Sequence, residues 1–156
     1  MLYSFYRMEI NKQAPAYYQT SITIDVPIEI VWGIVSDIAS WPSWNSDVEN
    51  VDLHGPVTPG TSFKWKAGGA TIQSRLVVVE APYQIGWHGA TMGIKAQHVF
   101  KLTQQGTQTV VTTEEAYEGL VSSILRKYLR KVLQTTLDKN LQSLKTVSEQ
   151  RAGTPQ

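Results

Sequence analysis

The chain contains no cysteine, which excludes disulfide bonds and thiolate metal sites and suits a reducing compartment. It also lacks a charge excess: fourteen Lys and Arg against thirteen Asp and Glu leave a formal charge of +1. Without a strong field of either sign, nucleic acid is disfavoured as a partner. No apolar run is long enough to span a bilayer, and the opening MLYSFYRMEI has no continuous apolar stretch of the kind a secretory signal needs. These absences together predict a cytoplasmic protein without an integral membrane segment. Also missing are a GxSxG elbow, a phosphate-cradling glycine loop and a dinucleotide fingerprint, so hydrolase, kinase and Rossmann chemistries fall away. His54, His88 and His98 are scattered, with no HxxxH spacing. No metal site and no cofactor is predicted.

What is present is ordinary globular material: 156 residues, 42% hydrophobic and 17% charged, enough for one compact domain. The predicted boundaries are an N-terminal arm over residues 1–17, a single domain over 18–149 and a disordered tail over 150–156. The arm carries Tyr3, Phe5 and Tyr6, and the sequence leaves open whether it is ordered. Ile22, Ile24 and Val26 alternate with polar residues as in a half-buried strand. Pro27 then suits the first turn of a helix in which Ile28, Val31, Trp32, Val35 and Ile38 recur at helical spacing. Pro42 stops that helix near Ser40, which leaves Trp41 and Trp44 in a second short helix.

From Asp47 to Glu118, turn signals separate about six runs rich in Val, Thr, Ile and aromatic residues, and with the first strand these make a meander of about seven. Gly68-Gly69 predicts a two-residue hairpin turn that places Ala67 opposite Ala70, Trp65 opposite Ile72 and Phe63 opposite Ser74. Phe63, Trp65, Ile72, Leu76 and Val78 then share one apolar face. A second turn at Gln105-Gly106 pairs Leu102 with Thr109, Phe100 with Val111, His98 with Thr113 and Ala96 with Glu115. Val111, Thr113, Glu115 and Tyr117 share a face with Ala96, His98 and Phe100, which carries two titratable groups to the apolar side.

After Gly119 the pattern predicts one helix of roughly 30 residues, about 45 Å long, from Leu120 to near Glu149. Val121, Ile124, Leu125, Tyr128 and Val132 fall on one side, with Arg126, Lys127 and Arg130 opposite. Leu129, Leu133, Leu137 and Leu141 recur every fourth residue, so the apolar face rotates along the helix, as crossing a twisted sheet requires.

This order of elements is that of an α+β helix-grip architecture: a curved antiparallel sheet of about seven strands, two short helices after the first strand, and a long C-terminal helix over the concave face. SITIDVPIEIVWGIVSDIASWPSWNSDVENV and HVFKLTQQGTQTVVTTEEAYEG resemble the opening and the last hairpin of the polyketide cyclase/dehydrase-like branch of the START/Bet v 1 (SRPBCC) superfamily. The resemblance extends over about residues 19 to 149. It implies an internal cavity between sheet and helix for a small hydrophobic molecule, a lipid or an aromatic or polyketide-like metabolite. It leaves the activity open, because this fold hosts carriers, receptors and enzymes alike.

Within that frame Phe63, Trp65, Ile72, Leu76, Trp87, Ala96, Phe100, Val111, Thr113 and Tyr117 form the expected lining, joined by Val121, Leu125 and Tyr128 from the helix. Trp41 and Trp44 read as packing residues at the base. His98 and Glu115 read either as an acid–base dyad, with one imidazole nitrogen free to act on a ligand, or as two buried groups that satisfy each other. Three functions follow as alternatives. The first is a ligand-binding module, and the second is a metal-free cyclase or dehydratase using His98 and Glu115. The third is a protein-interaction module, resembling Hsp90-activator or toxin-chaperone relatives, that docks through the sheet or the basic helix face.

Overall fold

The computed structural model describes residues 8–153; the aromatic residues Tyr3, Phe5 and Tyr6 and the last three residues lie outside the described span. Seven strands form one fully antiparallel sheet: β1 Ala16–Ile24, β2 Val48–Leu53, β3 Ser62–Ala67, β4 Ala70–Glu80, β5 Gln84–Thr91, β6 Ile94–Gln105 and β7 Gln108–Glu118. Their spatial order is β1-β7-β6-β5-β4-β3-β2, a meander whose first strand closes beside its last.

Between β1 and β2 lie helix α1, Ile28–Val35, and a 3-10 helix, Ile38–Ser43. α1 ends earlier than the proline at position 42 requires. The Ser36 hydroxyl donates to the Trp32 carbonyl at 2.6 Å, a local bond that competes with continuation of the helix. Pro27 sits just ahead of α1, and the Ile28 N–H it leaves uncapped is met by Gln104 Oε1 of β6 at 2.7 Å.

The β3–β4 hairpin has the expected register, with Trp65 opposite Ile72 and Phe63 opposite Ser74. The β6–β7 hairpin differs by two residues. Its central pair is Gly106-Thr107, so Gln105 faces Gln108, Leu102 faces Val111, Phe100 faces Thr113, His98 faces Glu115 and Ala96 faces Tyr117. The reason is local: Gly106 takes φ 61° at the first central position, where glycine is favoured, and Gln104 Nε2 donates to the carbonyls of Gly106 and Gln108 at 2.7 and 3.0 Å. A slip of two preserves the faces.

The long helix is bent rather than continuous. α2, Leu120–Ile124, gives way at Leu125 (φ −100°, ψ 24°) to α3, Arg126–Gly153. Ser122 and Ser123 donate their hydroxyls back to the carbonyls of Glu118 and Gly119, a pattern that bends helices. The bend turns Ile124, Leu125 and Tyr128 outward, at 71%, 45% and 67% exposure. At its other end α3 continues to Gly153, so residues 150–153 are helical where the sequence predicts a tail.

α3 covers the concave face, and its two halves do different work. Leu141 and Leu144 are buried in the main core with Phe63, Leu76, Ile85 and Val111. Toward its start, Leu129 and Leu133 pack on Ala16 of β1. On the opposite, convex face a strap ahead of β1 is ordered: Met8, Ile10 and Ala14 are buried against Val78, Val99 and Ala116. Arg130 is tied to that strap, donating Nε–H to the Pro15 carbonyl at 2.9 Å, so it is not a free cation of the basic face. No helix among the described residues is long and apolar enough to cross a membrane.

Candidate functional site

Between the sheet and the first half of α3 lies a cavity of about 370 Å³. It exists because α3 changes composition there. Val132, Thr135, Thr136 and Asn140 face it, whereas one turn further on leucines fill the same space. On the sheet side, Gly89 has no side chain and Ala96 only a methyl group; a Cβ on Gly89 would stand 3.0 Å from Ser74 Oγ and 3.2 Å from an Ile72 methyl.

An aromatic wall surrounds this space. Trp41 stands edge-on to Phe63 and Trp65, with ring centroids 5.8 and 5.6 Å apart, and 5.1 Å from Trp87. Trp41 donates its indole N–H to the Val35 carbonyl and Trp65 to Ser74 Oγ, each at 3.0 Å, so both rings are fixed before any ligand arrives. Trp87 in turn lies 4.6 Å from the His98 ring, and Phe100 stacks on that imidazole at 5.0 Å while standing 6.1 Å from Trp87, so the three rings form one cluster.

His98 Nδ1 lies 3.1 Å from Glu115 Oε2, and both side chains are buried, at 7% and 12% exposure. The tautomer follows from the partners. Thr113 Oγ1 gives its own proton to the Val99 carbonyl at 3.1 Å, so it accepts from His98 Nε2–H at 2.9 Å. Nδ1 therefore presents a lone pair to Glu115, and one proton bridges the pair. Burial pushes the Glu115 carboxyl up to about 8, although a hydrogen bond from Tyr117 opposes the rise; burial alone takes His98 down to about 3. The neutral arrangement, a protonated carboxyl donating to neutral imidazole, is the one favoured at pH 7. The Tyr117 phenol is also driven up, by its own burial and then by the adjacent Glu115, and stays protonated.

Both imidazole nitrogens are thus occupied, and the expectation of a free nitrogen for the ligand is not met. Glu115 and Tyr117 line the cavity beside His98, so the cluster borders it through all three side chains. Trp65, Ile72, Trp87, Ala96, Phe100 and Tyr117 line the space together with His98 and Glu115. Phe63, Leu76 and Val111 are fully buried in the core behind it, and Thr113 serves as the partner of His98. Val121, Leu125 and Tyr128 are not among the lining residues; Leu125 and Tyr128 lie on the exposed side of the helix.

The sequence reading missed Asn45, Thr135, Thr136 and Asn140, which line the cavity, and favoured packing over ligand contact for Trp41 and Trp44, which line it as well. The signal was the series Val132, Thr136, Asn140, one residue ahead of the leucine stripe and polar at its last two positions. Among the described residues no three His, Asp or Glu side chains gather as a metal site would need.

The family model described as "Polyketide cyclase / dehydrase and lipid transport" matches residues 16–149. The chain belongs to that family. No curated protein matches its sequence. Solved structures share its fold at low identity. The Helicobacter pylori protein jhp0584 has a TM-score of 0.80 at 14% identity, covering 89% of this chain and 91% of that one. A START superfamily protein from Mycobacterium smegmatis gives 0.76 at 15%, with 86% and 97% covered. The Zhui aromatase/cyclase of a Streptomyces species gives 0.73 at 15%, with 87% and 94% covered. This member of the family therefore shares the helix-grip fold of those structures.

Proposed function

We propose that the protein binds a small, largely hydrophobic molecule, a lipid or an aromatic or polyketide-like compound, between the sheet and α3. The observation that carries this reading is the cavity of about 370 Å³ bounded by Trp41, Trp65, Trp87 and Phe100. Its size falls within the range of about 300–1,000 Å³ typical of ligand pockets. The ring hydrogen bonds hold the wall open in one shape, which reduces the ordering cost of binding. Neutral Glu115 and the Tyr117 hydroxyl, whose protons are engaged by His98 and Glu115, offer acceptor oxygens to one polar group of the ligand without burying a charge.

Ala96→Phe, which fills the cavity from β6, is expected to abolish uptake while the protein stays folded. Native mass spectra of the protein purified from its own host supply the readout: an apolar adduct in the wild type, absent in the variant. An adduct retained in Ala96→Phe would place the ligand elsewhere and overturn the reading.

A second reading, a metal-free cyclase or dehydratase, draws on one observation: Glu115 carries a proton against the cavity wall at a pKa of about 8, near working pH. In that case Glu115 supplies the proton that a departing hydroxyl or an enolising carbonyl needs, and His98 sets its position and takes part in restoring it. His98→Ala and Glu115→Gln then lose turnover but keep binding. Equal loss of both would count against the dyad.

A further inference from the structure

The cavity has a second set of polar atoms that the His98–Glu115 cluster does not use. Trp44 Nε1 and Asn140 Oδ1 are both buried, both belong to cavity-lining residues, and neither has a hydrogen-bond partner within the protein. Asn140 as a whole is only 9% exposed. The contrast with the neighbouring rings is direct, since Trp41 and Trp65 give their indole N–H groups to Val35 and Ser74. A third unpartnered atom, Ser148 Oγ, is not on the cavity, so it defines no site there.

The two atoms come from separate walls of the cavity, and an ion pair links residues next to them. Trp44 closes the 3-10 helix and Asn140 sits on α3. Lys139 Nζ, from the residue before Asn140, reaches Asp47 Oδ1, three residues after Trp44, at 2.7 Å. Both Lys139 and Asp47 also border the cavity. A buried donor and a buried acceptor without partners are each unfavourable, so such a pair persists where the contents of the cavity meet both.

We infer that Trp44 Nε1–H and Asn140 Oδ1 form a polar subsite that selects ligands bearing a hydroxyl group, an apolar alcohol or a phenol. This rests on the ligand-binding reading of the cavity. A hydroxyl oxygen accepts from the indole N–H while its proton goes to Oδ1, satisfying both atoms at once. An ether or ketone answers only the donor, and a hydrocarbon answers neither. A carboxylate accepts from the indole but is repelled by the amide oxygen.

The test uses the full chain and three probes of nearly equal shape: naphthalene, 2-methoxynaphthalene and 2-naphthol. In the wild type 2-naphthol is expected to bind about tenfold more tightly than naphthalene, with the ether between them. In Trp44→Phe/Asn140→Leu the preference for 2-naphthol over naphthalene, taken as the ratio of their affinities, is expected to fall below about twofold. The indole N–H resonance missing from Trp44→Phe should shift on adding 2-naphthol and move less with naphthalene. That spectrum decides the question even where the double variant does not fold.

A preference unchanged in the double variant, or an indole signal indifferent to the hydroxyl, overturns the subsite and leaves the cavity reading intact. A preference lost instead in Glu115→Gln reassigns the hydroxyl to Glu115 and Tyr117 and likewise overturns it. Failure of all three probes to bind the wild type overturns the cavity reading, and the subsite with it.

Discussion

His98 and Glu115 stand directly opposite each other on adjacent strands, Nδ1 to Oε2 at 3.1 Å, in a pair that excludes most water. Thr113, two residues before Glu115, accepts the hydrogen bond of the imidazole's one N–H, at Nε2. The arrangement is a short chain of hydrogen bonds running from the Tyr117 phenol through Glu115, His98 and Thr113 to the Val99 carbonyl. Its direction is set at the Thr113 end, where the backbone carbonyl can only accept.

The pH dependence of stability should carry the mark of this pair. His98, lowered from 6.5 to about 3, binds a proton in the unfolded chain but not in the fold between those values, so stability rises with pH there. Glu115, raised from 4.5 to about 8, keeps its proton in the fold after the unfolded chain has lost it, so stability falls as pH climbs from 4.5 to 8. The two slopes cancel between 4.5 and 6.5. What survives is a gain below 4.5 and a loss above 6.5, each at most about 1.4 kcal/mol per pH unit. Urea melts of the wild type and Glu115→Gln across pH 3 to 9 check this (range of about 6 units); the loss above 6.5 should vanish in the variant.

Thr113→Val keeps the shape of the side chain but removes the acceptor for His98 Nε2–H. The buried donor is then unmet, and destabilisation of about 1–3 kcal/mol is expected from chemical melts. The imidazole also loses the contact that fixes its tautomer, so a ligand-induced change in the His98 ring signals should grow.

Two tryptophans on the same wall should respond differently to loss of the indole N–H. Trp41→Phe leaves the Val35 carbonyl without its 3.0 Å partner, whereas Trp44→Phe breaks no bond within the protein. Thermal melts should show Trp41→Phe less stable than Trp44→Phe by at least about 1 kcal/mol.

The bend at Leu125 makes a prediction opposite to the one a straight helix would give. Leu125→Ser and Tyr128→Ser should each change stability by no more than about 0.5 kcal/mol and leave uptake intact. Leu137→Ala, at a fully buried position of α3, should cost about 2–5 kcal/mol.

The parts of this molecule legible from sequence were those written in repeated pattern. The alternation of Phe63, Trp65, Ile72 and Leu76 about Gly68-Gly69 fixed both face and register of one hairpin, because two adjacent glycines admit one turn. At Gln105-Gly106-Thr107 the sequence admits two placements of the turn. Gln104, which caps the loop, decides between them through side-chain hydrogen bonds that no periodicity encodes. The cost was confined to register: His98 and Glu115 reached the apolar side under either placement. The Leu125 bend was hidden because apolar residues at helical spacing describe a face whether or not it is covered. Asn140 was overlooked for a related reason, since a polar residue beside a leucine stripe looks like the solvated side until the sheet is placed against it.

Seating β1 beside β7 also orders events while the chain is being made. β1 is the earliest of the strands to be synthesised, yet its partner does not exist until Glu118 has been added, and α3 follows later still. The hairpins between can form by local contacts, but closing β1 onto β7 must wait and carries the entropic cost of a long loop. Throughout that interval the concave face lies bare, and the aromatic residues around the finished cavity form the most exposed apolar surface of the nascent chain. The side chains that shape the cavity are therefore the ones that most need shielding from neighbouring chains on the ribosome.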